Sequence, residues 1–152
     1  MLAKVFSYGI SGLDAYKVTI EVDVAAGLPT TLIVGLPDNA IKESRERVRA
    51  AVKNCGYKNK PQRITVNLSP ADIKKEGPAF DLAIALGILA ATEQIEASRL
   101  QDYIFMGELS LDGLLRPVGG ALSTTLAADA PNFKGIILPN DNAAEGAVSG
   151  RI

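Results

Sequence analysis

Residues 74–92 read KKEGPAFDLAIALGILAAT, a segment in which a helix without a polar face follows a short charged lead. Gly77 and Pro78 mark the helix start, because proline at a first helical position forfeits no hydrogen bond and already has a helical φ. We predict a helix over residues 79–91, with Gly87 costing about 1 kcal/mol relative to alanine. Helices that are apolar all round are buried, so we expect the strands to pack against this one.

Asp81 is the only charge within that helix, and it lies in the first turn. The positive end of the helix dipole favours an acid at this position. A structural role at the helix start and a functional role therefore both stay open for Asp81.

Strands surround the central helix in the sequence, on the evidence of apolar residues that alternate with polar ones. In the second strand, for example, Val18, Ile20, Val22 and Val24 fall on one face. We expect the first three strands to pair antiparallel in succession, because this is the simplest arrangement of strands joined by short turns. Strands are predicted at residues 2–8, 16–24, 30–34, 63–68, 103–109, 114–117 and 134–138, with the 103–109 and 114–117 strands forming a hairpin; further helices are predicted at 39–54, 121–128 and 141–147.

Composition excludes several kinds of site. The chain has 152 residues, of which 47% are hydrophobic, and a formal net charge of −1, which fits one buried domain without a global attraction to nucleic acid. Its single cysteine, Cys55, excludes an intramolecular disulfide, and the absence of histidine removes the Ser-His-Asp triad and the commonest metal ligand. We expect no metal site. Without a signal peptide or a long apolar run, we expect a soluble, cytoplasmic protein that does not enter a membrane.

The predicted helix at residues 39–54 is amphipathic, with an apolar stripe that runs to Cys55. Four cations line one side of this stripe and form what we call the basic flank. Two interpretations stay open. The flank is either a solvated surface in which Glu43 and Glu46 pair with neighbouring cations, or a surface that contacts the phosphates of DNA or RNA, although no stripe of stacking aromatic residues accompanies it. The basic flank consists of Lys42, Arg45, Arg49 and Lys53, and Lys58, Lys60 and Arg63 follow it in the sequence.

Four motifs together resemble one known family. They are GLPD at 35–38, AIKESRERVR at 40–49, ITVNLSPAD at 64–72 and EGPAFDL at 76–82. The chain resembles, over nearly its whole length, the amino-terminal domain of the ComM/YifB family of magnesium-chelatase-like AAA+ ATPases. This resemblance implies an α+β fold of two layers, of the ribosomal protein S5 domain 2 type, similar to the carboxy-terminal proteolytic domain of Lon proteases.

The resemblance also carries expectations about the longer protein. Residues 1–152 would form the Lon-protease-like domain, and a following AAA+ module, absent here, would bind ATP and magnesium. No phosphate-binding glycine loop occurs in this chain, so we expect no cofactor in this domain. The last predicted helix stops within ten residues of the chain end, which agrees with a truncated chain. ComM is implied to be a hexameric helicase that promotes branch migration in natural transformation, and YifB-type members are often labelled ATP-dependent proteases.

The protease label can be compared with individual residues. Lon proteases use a serine directly after the Gly-Pro pair of the core helix and a lysine two positions after a Gly-Gly pair. Ala79 and Leu122 stand at these positions, and neither side chain can act as a nucleophile or accept a proton. We therefore expect no catalytic residue. The favoured hypothesis is a non-catalytic domain for assembly of a homo-oligomer, a hexamer, and for DNA contact; the alternatives are a protease with a different serine, Ser69 or Ser123, and a magnesium-chelatase subunit.

Overall fold

The computed structural model describes residues 2–11, 14–119 and 133–142. Its strands and helices form an α+β domain in which α2 and α3 pack together and α3 lies against β1 and β2. The elements are β1 (Leu2–Ser11), β2 (Asp14–Ala25), β3 (Thr30–Val34), α1 (Asn39–Lys42), α2 (Ser44–Asn54), β4 (Arg63–Ser69), α3 (Asp81–Ala91), β5 (Tyr103–Phe105), β6 (Glu108–Leu109), β7 (Leu115–Arg116) and β8 (Gly135–Ile137), with single 3-10 turns at Pro78–Phe80, Leu100–Asp102 and Asn140–Asn142.

Six strands form the main sheet in the order β3-β4-β2-β1-β5-β8, and β6 pairs with β7 in a separate ribbon. β1 and β2 pair antiparallel as predicted, but the prediction that β3 continues this succession is wrong, because β3 pairs parallel with β4. β4 lies between β3 and β2 and pairs antiparallel with β2. The physical reason is the connection through α1 and α2, which crosses over the sheet and returns the chain in the same direction.

Three smaller predictions need correction. The helix predicted at 39–54 is interrupted at Glu43, where α1 ends and α2 begins. The strand predicted at 103–109 is divided, since β5 joins the main sheet and β6 pairs with β7. Cys55 is exposed rather than part of an apolar stripe, and its thiol lies 3.9 Å from the carbonyl of Asp112. The helix predicted at 121–128 and most of the one predicted at 141–147 lie outside the described residues.

The core lies between α3 and the strands, as the apolar segment predicted. Val18, Ile20 and Val22 of β2 are fully shielded from solvent, and they face the helix. At Gly87 the helix approaches the sheet so closely that a Cβ atom would lie 2.6 Å from Cγ2 of Val22. Glycine is therefore required here by packing, despite its poor helix propensity.

Candidate nucleic-acid interface and the buried cluster behind it

The Gly-Pro start of the central helix is held by Asp38. One carboxylate oxygen of Asp38 accepts a hydrogen bond from the backbone N–H of Ile41 at 2.9 Å and caps α1, while the other accepts one from the N–H of Gly77 at 2.9 Å. Ala79 follows, half-buried, and its carbonyl accepts a hydrogen bond from the N–H of Gly107. The methyl group at this position offers no nucleophile. Leu122, the other position of the Lon-type pair, lies outside the described residues.

Asp81 is a fully buried carboxylate, and four hydrogen bonds satisfy it. Arg47 donates from Nε at 2.6 Å and from Nη2 at 3.1 Å, Ser44 donates its hydroxyl at 2.5 Å, and the backbone N–H of Leu109 donates at 3.1 Å. The hydrogen bond to Asp81 raises the pKa of Arg47. We call Ser44, Arg47, Asp81 and the Leu109 N–H the buried cluster; it ties α2, α3 and β6 together.

The buried cluster settles part of the question left open by the sequence. In the described part of the chain, the salt bridges within 4.0 Å join Arg47 to Asp81 and Lys134 to Asp102. Among the described residues, Glu43 and Glu46 therefore form no salt bridge with the neighbouring helix cations, so the predicted pairs are not observed. A solvated surface and a nucleic-acid contact surface both stay open for the basic flank. One signal in the sequence could have revealed the pair, since a charge in a fully apolar helix must have a buried partner.

A second buried charge, Lys75, lies just before the Gly-Pro start. Its side chain is fully shielded, and its ammonium group donates hydrogen bonds to the carbonyl of Gly35 at 2.8 Å and to the carbonyl of Pro70. Burial lowers the pKa of Lys75, and the nearby carboxylate of Asp72 opposes this shift. Lys75 thus joins the end of β3 to the loop after β4, a role that nothing in the sequence predicted.

The four cations of the basic flank are all exposed. The structure brings Arg45 and Arg49 to the rim of a pocket of about 340 Å³ between β3, α2 and the segment before β4. Arg45 is oriented by hydrogen bonds to the carbonyls of Lys42 and Thr31, at 3.2 Å and 3.3 Å. Lys42 itself does not line the pocket. Two of the four cations of the basic flank, Arg45 and Arg49, are therefore part of the wall of a concave surface.

A shallower concavity adjoins the pocket and contains the fourth cation. Arg49, Lys53 and Lys58 line it together with Tyr57, whose side chain is 39% exposed. Arg49 and Lys58 line both concavities. An exposed aromatic ring beside three cations is a typical surface for stacking a base, and sequence reasoning missed it because Tyr57 follows the helix rather than lying on it.

The segment between α2 and β4 is fixed in place by hydrogen bonds to other parts of the domain. Gln94 accepts a hydrogen bond from the N–H of Lys58 and donates one to its carbonyl, both at 2.8 Å. Lys60 donates to the carbonyl of Thr92 at 2.9 Å, and Asn59 donates to the carbonyl of Arg49 at 2.9 Å. These bonds hold the far wall of the pocket in place.

Two further properties bear on the chemistry of the described residues. They contain no group of three or more histidine, cysteine, aspartate or glutamate side chains placed to hold a metal ion. None of their helices is long and apolar enough to cross a membrane.

Comparison with known proteins places the chain in a family. The family model described as subunit ChlI of Mg-chelatase matches residues 20–142. The chain is 46% identical to YifB of Salmonella typhimurium and 46% identical to the competence protein ComM of Haemophilus influenzae, in each case over 95% of its own length and 28% of theirs. It is 33% identical to Lon protease 2 of Bacillus subtilis over 66% of its length and 18% of that protein. The chain therefore belongs to the family of the ChlI subunit of Mg-chelatase, which it shares with YifB and ComM.

Proposed function

We propose that this domain is a non-catalytic, DNA-contacting part of a larger AAA+ ATPase of the ComM/YifB type. The chain spans only 28% of the length of YifB and ComM, so the remainder would supply the ATPase activity with ATP and magnesium. The domain would assemble with its copies in a hexameric ring. The name of the competence protein ComM supports a role in handling DNA during transformation. Contact with chromosomal DNA would place the protein in the cytoplasm.

The observation that supports DNA contact is the basic flank. Arg45, Arg49 and Lys53 are exposed, and none of the carboxylates that the structure describes lies within salt-bridge distance of any of them. Cations that are not neutralised by the protein are available to phosphates, and each phosphate neutralised releases condensed counterions from DNA. Such contacts hold DNA without reading its sequence, which suits a protein that moves along DNA.

The test is fluorescence anisotropy of a labelled short duplex at about 50 mM and about 200 mM salt. We expect salt-dependent binding by the wild-type chain. The double variant Arg45→Glu/Arg49→Glu should weaken binding and reduce the slope of log K against log salt by about 2, since about one unit is lost per phosphate contact. The matched control is Lys4→Glu/Arg116→Glu, which changes the charge equally at exposed residues that line neither concavity. No binding at the lower salt, or an equal loss in the control, would refute the proposal.

The second candidate is a peptidase, favoured by the 33% identity to Lon protease 2. It would need a nucleophile other than residue 79, and Ser69, half-buried at the end of β4, is the described candidate; Ser123 lies outside the described residues. Hydrolysis of a fluorogenic peptide by the full-length protein with ATP, lost in Ser69→Ala or Ser123→Ala, would support this function. Absence of hydrolysis would leave the DNA-contact role.

A further inference from the structure

The pocket beside the basic flank has a polar rim and an apolar floor. Its floor includes Ile33, Ile64 and Ile88, which are 8%, 9% and 9% exposed, whereas the core isoleucine Ile20 is fully shielded. Small-molecule sites are typically concave, mostly apolar and equipped with a few polar groups, in volumes from about 300 Å³ upward. At about 340 Å³ the pocket is suited to one flat, ring-sized group.

The positively charged side chains at the rim favour an anionic partner. Arg45, Arg49, Lys58 and Lys60 line it, against the single carboxylate of Glu46. Lys60 donates to the carbonyl of Thr92, and Arg45 donates from Nε and Nη1 to the carbonyls of Lys42 and Thr31. Arg49, Lys58 and the remaining nitrogen of Arg45, Nη2, are left to face a bound anion. A group with an apolar ring and an attached negative charge matches this combination.

One polar group of the lining has no partner. Oε1 of Gln62 is shielded from solvent and accepts no hydrogen bond from residues 2–11, 14–119 or 133–142. A buried acceptor without a donor is unfavourable, because it has given up its hydrogen bonds to water. Gln62 is one of the residues that line the pocket and is only half-buried, so rotation of its side-chain amide would present this oxygen to an occupant carrying an N–H group.

We propose that this pocket holds one unpaired base of a DNA single strand, an inference that rests on the DNA-contact function proposed above. The base lies on the isoleucine floor with an N–H group directed to Gln62, and the phosphates on either side lie on Arg45 and Arg49. Because Arg49 lines both concavities, the neighbouring base reaches the ring of Tyr57. Bases in a duplex are stacked and paired, and they cannot enter the pocket.

The experiment compares three probes on the full chain by anisotropy and competition: a labelled single strand of mixed sequence, the corresponding duplex, and a free nucleoside monophosphate. We expect the strand to bind at least about fivefold more tightly than the duplex, since burying or stacking a base contributes about 1–3 kcal/mol. Gln62→Met should weaken strand binding about three- to tenfold and leave duplex binding unchanged. The control is Gln101→Met, an exposed glutamine outside both concavities, which should change neither.

A second variant tests the same pocket independently, so that the proposal stays testable even where Gln62→Met does not fold. Thr31 lines the pocket from the edge strand β3, where an aromatic residue is well tolerated, so Thr31→Phe should fill the pocket and abolish the preference for the strand. Equal affinities for strand and duplex, both lost in Arg45→Glu/Arg49→Glu, would overturn the base pocket and leave the DNA-contact function standing. No binding of either DNA would overturn both. Competition by the monophosphate as strong as that by the strand would assign the pocket to a free nucleotide instead and overturn the proposal.

Discussion

Removing the arginine of the buried cluster tests how much the burial of Asp81 contributes to the fold. In Arg47→Met the fully shielded carboxylate loses its countercharge and two of its four hydrogen bonds, and keeps those from Ser44 and the N–H of Leu109. Breaking a buried ion pair from one side costs about 3–5 kcal/mol. The side chain of Arg47 is 20% exposed, so water can reach part of the vacated site and we expect about 3 kcal/mol. This is a large share of the free energy of unfolding of a domain, which is typically about 5–15 kcal/mol.

The assay is urea unfolding followed by circular dichroism, because urea leaves the ionic strength unchanged. The matched control is Arg49→Met, because Arg49 is exposed on the same helix and has no salt bridge to any residue that the structure describes. This variant should change the free energy of unfolding by less than about 0.5 kcal/mol.

The double variant Arg47→Met/Asp81→Leu distinguishes an uncompensated charge from a simple loss of contacts. With the carboxylate gone, the buried N–H of Leu109 is left without its acceptor, at about 1–3 kcal/mol. The buried hydroxyl of Ser44 loses Asp81 as well, but it can turn to the carbonyl of Ala40, four residues earlier, which the arginine no longer occupies. The double variant should therefore be more stable than Arg47→Met alone. A loss below about 1 kcal/mol in Arg47→Met, or a double variant less stable than the single one, would refute this account of the cluster.

Three further predictions concern the core. Gly87→Ala should destabilise the domain by about 1–3 kcal/mol despite the better helix propensity of alanine, because the new methyl group would lie 2.6 Å from Val22, and Val22→Ala should partly restore stability. Leu86→Ala should cost about 2 kcal/mol, the low end for a leucine, since Leu86 is only half-buried; thermal unfolding measures both. Burial lowers the pKa of Lys75 below its ordinary 10.5, so between the two pKa values the unfolded state binds more protons than the folded state. The stability of the wild type relative to Lys75→Met should therefore rise as the pH approaches 10.5. A stability difference in urea unfolding that does not change with pH would contradict this prediction.

Features set by local periodicity could be predicted from the sequence. The central helix ends at Ala91, as predicted, and begins two residues later than predicted because Pro78–Phe80 forms a 3-10 turn. The alternating valines and isoleucines of β2 are buried on one face, also as predicted. In both cases the side chains that share a face are close in sequence, so one short window contains all the information needed.

Features set by contacts between distant segments could not be predicted in the same way. The position of β3 depends on β4, which enters the sheet between β3 and β2. The two strands are far apart in sequence, since Thr30 of β3 is paired with Arg63 of β4. Arg47 has two acids within four residues, which favour local pairing, yet it bonds to Asp81 across 34 residues. A carboxylate taken out of water competes for the guanidinium far more strongly than one that stays hydrated.

The candidate site depends both on local periodicity and on contacts between distant segments. The sequence predicted that four cations line one side of a single helix, and the structure places Lys42 in α1 and the other three in α2. The shape of the surface they form depends on the segment before β4, which Gln94 holds in place through two hydrogen bonds to Lys58. With that segment in position, Arg45 and Arg49 stand on the rim of a pocket. A duplex is a broad, convex cylinder that touches only the rim of such a pocket, whereas a single strand can follow its walls and place bases inside. The concave surface beside the basic flank is therefore a physical reason to expect binding of unpaired DNA. The sequence of the helix alone does not indicate that this surface is concave.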